Sequence, residues 1–368
     1  MPAPGTLIAT SLVLAALATT LAPRAAGADT FAYVGNAASN DISVFKFDGK
    51  TAEMVPVQTL AFTGVEKPGS STPLAVSPDH HVLIAGIRSQ PFVALSFAID
   101  PKTGQLKQIG SGPLADSMAN IAFDHTGKFL FSASYGGNKV AVNPVEANGV
   151  VGAPAQVIPT GLNAHAFLPA PDNRFVFATN LGSDQVLAFK FDANTGVLTP
   201  NEAATVKTPE KSGPRHFIFH PNGKFIYLLH ELNADVAVYA YDADKGSWRE
   251  TQRTTALPKN FKGKPWAADL HITPNGQFLY ASERGSNTLA AYKVDAATGQ
   301  LTSIDSVPTE TQPRGFSIDP SGHYLAAVGE LSNGLSVYAI NQATGKLTKL
   351  KSYPVGKQPN WVEFVTLQ

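Results

Sequence analysis

The 368-residue sequence predicts an all-β fold, a seven-bladed β-propeller with four-stranded antiparallel blades. Three observations carry that reading. A hairpin pattern of strand, Pro-Asx-Gly type turn and strand recurs along the chain. Its turn prolines at 78, 171, 221, 274 and 320 lie 46 to 53 residues apart once one diverged copy between 78 and 171 is allowed. The two ends of the chain carry complementary half-blades.

From the N-terminus, Leu7 to Ala22 is a run of apolar and small residues, followed by Ala26-Gly27-Ala28, an A-x-A cleavage pattern. No Lys or Arg precedes the run, so the terminal amine alone supplies positive charge. The run is shorter than the roughly 20 residues a membrane span needs. Residues 1–28 are therefore expected to be a cleaved signal peptide, leaving no stable membrane span. Residues 29–368 are expected to form a single propeller domain, periplasmic or secreted.

Phe31-Ala32-Tyr33-Val34 then reads as a second strand lacking its own first strand. The hairpins follow, centred on Ser77-Pro78-Asp79, Asp124-His125-Thr126-Gly127, Pro171-Asp172-Asn173, Pro221-Asn222-Gly223, Pro274-Asn275-Gly276 and Pro320-Ser321-Gly322. After each come a polar turn, a third strand such as Asp235-Val236-Ala237-Val238-Tyr239, a turn such as Ala297-Thr298-Gly299, and a fourth strand. Pro359-Asn360-Trp361-Val362-Glu363-Phe364 is a first strand with no blade after it. Pairing it with Phe31–Val34 closes the ring and removes the open sheet edges. No amphipathic helix separates the strands, so a parallel α/β sheet is excluded.

Composition narrows the function. Lys plus Arg and Asp plus Glu number 28 each, so there is no electrostatic footprint for nucleic acid. There are no cysteines, which removes thiol catalysis and thiolate metal sites. The nine histidines show no H-x-H or H-E-x-x-H spacing, and neither a G-x-S-x-G elbow nor a P-loop occurs. No metal and no cofactor are expected.

In a propeller the first strand of each blade lines the central channel. The position where that strand begins holds Thr72, Ala119, His165, Arg215, Ala268, Arg314 and Asn360, with Asp269 one step further along. A second ring, from the loop ending each second strand, holds Ala37, Arg88, Tyr135, Leu181, Glu231, Arg284 and Glu330. If both rings face one mouth, a carboxylate and an imidazole share a pocket with several guanidiniums. Lactone hydrolysis needs such groups: a base to activate water, and cations to hold the developing oxyanion. His165 and Glu231 can supply the base. Arg215 and Arg314 can clamp the oxyanion or a carboxylate. Arg88, Tyr135, Asp269 and Arg284 are expected to bind substrate. Strand alternation turns His216 and His271 away from the residues before them, towards the core or a neighbouring blade.

Gly213-Pro214-Arg215-His216-Phe217-Ile218-Phe219-His220-Pro221 with His230-Glu231-Leu232-Asn233 resembles a signature segment of the propeller-type bacterial 6-phosphogluconolactonases. Trp266-Ala267-Ala268-Asp269-Leu270-His271-Ile272-Thr273-Pro274 and Thr309-Glu310-Thr311-Gln312-Pro313-Arg314-Gly315-Phe316 resemble two more. That family is similar to the fungal carboxy-muconate lactonising enzymes. The likeness spans the whole mature chain and is strongest from Gly161 onward. It implies a metal-free lactonase acting on a small-molecule lactone or anionic sugar-acid ligand, in a chain expected to be monomeric. It carries functional residues onto His165, Arg215, Glu231 and Arg314. Relatives that hydrolyse phosphorylated sugar lactones have no signal peptide, so a secreted member is expected to act on another lactone, such as an unphosphorylated aldonolactone. A non-catalytic binding propeller and a muconate-type cycloisomerase are the alternatives.

Overall fold

The computed structural model describes Met1 and residues 28–368; the expected signal peptide otherwise lies outside the described residues. Those residues form seven antiparallel sheets arranged as blades, six with four strands and one with a fifth short strand. Blade 1 joins the two ends of the chain. Its inner strand is Pro359–Leu367, followed outward by Asp29–Asn36, Asp41–Asp48 and Glu53–Ala61. Phe31 pairs with Val365 and Tyr33 with Glu363, so the expected closure is present. The inner strands of blades 2 to 7 are Leu74–Val76, Met118–Phe123, Ala164–Pro169, Pro214–Phe219, Ala267–Ile272 and Pro313–Ile318. In blade 4 the strand Val206–Lys207 adds beside Gln185–Asp192. Among the described residues no helix is long and apolar enough to cross a membrane.

The turn between first and second strands explains the repeat's signature. Its third residue takes a positive φ, near +70° at Gly127, Gly223, Gly276 and Gly322. Glycine enters that region without a Cβ clash. Blades 2 and 4 place His80 and Asn173 there instead, at +61° and +59°.

The apolar core is divided among the blade interfaces. Seven clusters of buried residues each lie between two successive blades, the pair of blades 7 and 1 included. In Phe225–His230, Phe225, Tyr227 and Leu229 face blade 6, whereas Ile226 and Leu228 face blade 4. A second strand buried on both faces reads as a continuous apolar run, because alternate side chains must both be apolar.

A latch repeats across these interfaces. Tyr33, Tyr227 and Tyr280 donate hydroxyl hydrogen bonds to the carbonyls of Gly104, Gly299 and Gly345 in the following blade, at 2.9, 3.1 and 2.8 Å. Those glycines sit at positive φ.

The inner strands of blades 3 to 7 each begin with a register shift, at Met118/Asn120, Ala164/Phe167, Pro214/His216, Ala267/Leu270 and Pro313/Phe316. A bulge sets extra residues against the partner strand and re-aims side chains. Here it falls at the channel mouth, at the residues expected to carry function.

Candidate active site

Both rings of sequence positions meet at one mouth of the channel. Arg215, on the bulge of blade 5, is 2% exposed at its side chain and donates from Nε to Glu231 Oε2 at 2.8 Å. Its Nη1 bonds the Ala268 carbonyl of blade 6. Arg284 approaches the same Glu231 oxygen from Nη2 at 2.9 Å. It also donates to the carbonyls of Trp266 and Ala267, at 3.1 and 3.0 Å, and its guanidinium lies 4.0 Å over the Trp266 ring. One carboxylate is therefore held between two nearly buried guanidiniums, across blades 5 and 6.

This geometry sets the charge states. Burial alone would push the Glu231 carboxyl up, but Arg215 and Arg284 override it and hold it below the usual carboxylate range. Burial, with Arg215 beside it, pushes Arg284 down to about 9. Glu231 is thus an ionised, acceptor-only group with its charge already engaged.

Arg314 of blade 7 donates from Nη1 to Glu330 Oε1 at 2.9 Å and to the Ser70 carbonyl at 3.1 Å. Gln312 holds the other Glu330 oxygen at 2.6 Å. Arg88 of blade 2 rests on the hydroxyls of Ser71 and Ser117, at 2.8 and 3.1 Å. Among the described residues no carboxylate pairs with Arg88. Burial lowers it to about 10, and the neighbouring Arg314 and Arg215 add to that shift.

His165, on the bulge of blade 4, is 4% exposed and makes no direct bond to Glu231 or to the arginines. It stands edge-on to Tyr135 and to His216, with ring centroids 6.0 and 4.9 Å away. Burial, then the fields of Arg215, His216, Arg314 and Arg88, hold its pKa well below the ordinary imidazole value, so it is neutral at pH 7. Burial also raises the Tyr135 phenol, which therefore stays protonated.

Asp269 lies apart from the guanidinium cluster. Its carboxylate accepts from His216 Nδ1 at 2.8 Å and meets His271 Nε2 at 3.2 Å. His216 and His271 do reach neighbouring blades, His216 through Asp269 and His271 against Phe316 with ring centroids 4.8 Å apart, but they also face the channel. Both line a channel cavity of about 430 Å³ together with Asp269, Trp361 and Glu363. The bulge at Pro214/His216 breaks the two-residue alternation for His216, whereas His271 lies two residues from Asp269 and shares its face of the strand. The signal that could have found His216 is the adjacent polar pair Arg215-His216 opening an otherwise apolar strand. Trp266, which carries Arg284 on its face, lies outside both rings, so ring position does not point to it. Among the described residues no group of three or more His, Asp or Glu is placed to hold a metal ion.

Thus Arg215, Glu231 and Arg284 are brought together, Arg88 and Arg314 flank the turn at Ser70 and Ser71, and His165 faces the mouth beside Tyr135. The neutral imidazole, with Arg88, Arg215 and Arg314 around it, can accept a proton from water, and the guanidiniums can stabilise an oxyanion.

A family model described as "Lactonase, 7-bladed beta-propeller" matches residues 28–364. The 6-phosphogluconolactonase of Pectobacterium carotovorum is 39% identical over 287 residues, covering 78% of this chain and 84% of the relative. That of Serratia proteamaculans is 40% identical over 289 residues, with the same coverage of both chains. Among solved structures, a periplasmic gluconolactonase from Pseudomonas aeruginosa superposes with a TM-score of 0.84 at 30% identity, covering 92% of this chain and 100% of that one.

Proposed function

Since the chain belongs to the seven-bladed β-propeller lactonases, we propose that it opens the ring of a sugar-acid lactone by water attack at the charged mouth of its channel. It is a lactone-hydrolysing enzyme, a carboxylic ester hydrolase. The observation that carries the site reading is the neutral, buried His165 beside a cluster in which guanidiniums outnumber carboxylates.

In this reading a water oxygen attacks the lactone carbonyl carbon while His165 takes the water's proton. Arg215 and Arg284 hold the carbonyl oxygen as it gains negative charge. Collapse breaks the ring C–O bond, and His165 returns the proton to the departing ring oxygen. The product is a hydroxy acid, which loses its acid proton, and Arg314 grips the resulting carboxylate. Glu231, already engaged by two guanidiniums, orients them and does not act as the base.

The substrate we favour is an unphosphorylated aldonolactone in the periplasm. The A-x-A pattern ending at Ala28 supports this, with the first strand starting at Asp29 and the family match at residue 28. So does the similarity to a periplasmic gluconolactonase. N-terminal sequencing of mature protein should begin near Asp29, and an intact Met1 chain in the cytosol would count against it. Arg88, a half-buried guanidinium paired with no carboxylate among the described residues, favours a second reading, a lactone bearing phosphate.

Turnover on sugar lactones with and without phosphate separates the two. For the first, the neutral lactone is hydrolysed, and His165→Ala lowers kcat by about 10²-fold. For the second, the phosphorylated lactone is preferred, and Arg88→Ala raises its KM alone. Absence of turnover on every lactone would overturn both.

A further inference from the structure

His165 stands in a field that disfavours its charged form, with Arg88, Arg215 and Arg314 around it and Tyr135 at its edge. A base whose conjugate acid is surrounded by cations needs a compensating negative charge, and no carboxylate bonds His165. The nearest route to one runs through His216.

Asp269 is fixed on three sides. Oδ1 accepts from His216 Nδ1 and from the Leu270 backbone N–H, at 2.8 and 3.0 Å, and Oδ2 meets His271 Nε2 at 3.2 Å. Burial opposes its ionisation, yet the two imidazoles hold the Asp269 carboxyl well below the usual range. An ionised carboxylate only accepts, so the proton of neutral His216 sits on Nδ1 and its Nε2 carries a lone pair. Burial, with Arg215 adding to it, lowers His216 to about 4 and keeps it neutral. His271 is the more readily protonated partner: burial works against it, but Asp269 raises it. The remaining groups facing the pair from blade 1 are Trp361, 6.1 Å from the His216 ring, and Glu363, whose carboxyl burial pushes up to about 7.

Two atoms are left over. His216 Nε2 and His165 Nδ1 are both buried, and among the described residues neither has a hydrogen-bond partner. They belong to rings whose centroids are 4.9 Å apart. The two nitrogens do not bond one another as the side chains stand. An N–H···N bond of about 2.9 Å corresponds to centroids roughly 5 Å apart, so turning the rings about their side-chain torsions, without moving them apart or together, brings the pair into contact. The leftover pair is complementary when His165 carries its proton on Nδ1.

We infer that His216 and Asp269 are positioning residues for His165, forming with His271 a chain of imidazole, imidazole, carboxylate and imidazole that holds the His165 proton on Nδ1 and turns its Nε2 lone pair towards the lactone. This rests on the reading of His165 as the base. The water's proton goes to His165 Nε2 and from there to the ring oxygen. The Nδ1 proton stays between the two imidazoles, and the Asp269 charge offsets the imidazolium through His216. An aspartate behind a catalytic histidine does the same in serine hydrolases, where its replacement by asparagine costs about 10⁴-fold in kcat.

The test uses the full-length mature enzyme, with four variants followed by kinetics, thermal unfolding and ¹⁵N-histidine NMR. His165→Ala tests the underlying reading: if turnover survives it, His165 is not the base. Asp269→Asn and His216→Leu should each lower kcat by about 10²-fold or more with KM changed less than about threefold. The acid limb of kcat/KM should move to lower pH in Asp269→Asn. In the parent, NMR should show His165 protonated on Nδ1, and Asp269→Asn should shift it towards the other tautomer. His216→Gln can accept at Oε1 from His165 and donate from Nε2 to Asp269, so it should recover much of what His216→Leu loses. A parent His165 protonated on Nε2 would overturn the inference. So would a His165→Ala variant that is dead while Asp269→Asn keeps the parent's kcat, pH profile and tautomer. If Asp269→Asn fails to fold, the Leu and Gln variants of His216 decide: equal losses in the two would sink the chain.

Discussion

Where one blade meets the next, equivalent positions carry equivalent residues. Phe31, Phe129, Phe175, Phe225 and Phe278 each pack beside the turn glycine of the following blade, Gly104, Gly196, Gly246, Gly299 and Gly345. At the channel mouth the opposite holds. The position opening the inner strand carries Thr72, Ala119, His165, Arg215, Ala268, Arg314 and Asn360. A closed ring demands the same shape at every interface, because each blade must present to its neighbour the face that its neighbour accepts. Chemistry at the mouth demands difference, since a base, a cation and space for substrate cannot occupy every blade alike. At this position the candidate side chains come from blades 4, 5 and 7, whereas blades 1 to 3 and 6 contribute small or neutral residues.

Framework changes should therefore alter stability and leave chemistry alone, and mouth changes should alter chemistry. The largest expected effect is loss of closure. Deleting Pro359 to Gln368 removes the inner strand of blade 1 and takes the buried Val362, Val365 and Leu367 from two interfaces. At roughly 1.5–3 kcal/mol for each buried side chain, the loss is about 5 kcal/mol or more before the hydrogen bonds are counted. We expect insoluble protein or no cooperative thermal transition. An unchanged Tm would show that closure does not hold the ring.

Glu231→Gln is expected to cross the divide. Its kcat should fall by about 10²-fold, as the guanidiniums lose their common anchor. Its Tm should fall as well, because Arg215 and Arg284 remain buried without a charge partner, a loss of roughly 3–5 kcal/mol. Lost stability with parental kcat would assign this triad to the framework.

Acid should expose a smaller, graded effect. Burial lowers His216 and His230 to about 4 and His165 well below its ordinary value. The unfolded chain takes up protons at these histidines from about pH 6.5 downward, before the folded chain does. Stability should therefore fall as pH drops from 6.5 towards 4. Glu363 opposes this, because burial raises it to about 7 and its contribution is largest at low pH. His271, raised by Asp269, and the buried Asp235 oppose it as well, while burial lowers His220 on the other side. The four lowered histidines outweigh the raised groups, a net loss on acidification readable by calorimetry at stepped pH. A Tm that rises steadily from pH 6.5 to 4 would contradict it.

Gly299→Ala is the smaller framework test. Its φ is +73°, and an added Cβ would lie 2.5 Å from the Phe225 ring. We expect a loss of about 1–3 kcal/mol with kcat and KM unchanged. Tyr280→Phe removes a single hydroxyl bond to the Gly345 carbonyl and should cost about 1 kcal/mol, again without kinetic effect. A kinetic change in either would mean that blade packing reaches the mouth.

The blade count, the turns and the pairing of the chain's ends were legible in the residues. They follow from local patterns: a Pro-Asx-Gly turn, alternation along a strand, and a period of about one blade. The two rings of channel positions were legible for the same reason, since a repeat places its equivalent residues at equivalent depth. Arg215, Glu231, Arg284, Arg314 and Arg88 were all named from ring position alone, and the structure brings them to one mouth.

Partnerships within the mouth were not legible. Nothing local says that Glu231 is shared by Arg215 and Arg284, that Arg314 pairs with Glu330, or that Arg88 rests on two serine hydroxyls. These depend on where side chains of different blades converge, and on bulges that shift register by a residue or more. His216 shows the consequence most plainly. Alternation sends it away from the channel, and the bulge at Pro214/His216 brings it back to face Asp269 from the next blade. A periodic sequence specifies its periodic architecture, because each repeat encodes the same local geometry. The charge states and contacts of the mouth arise from the departures from that period, which become defined when the ring has closed.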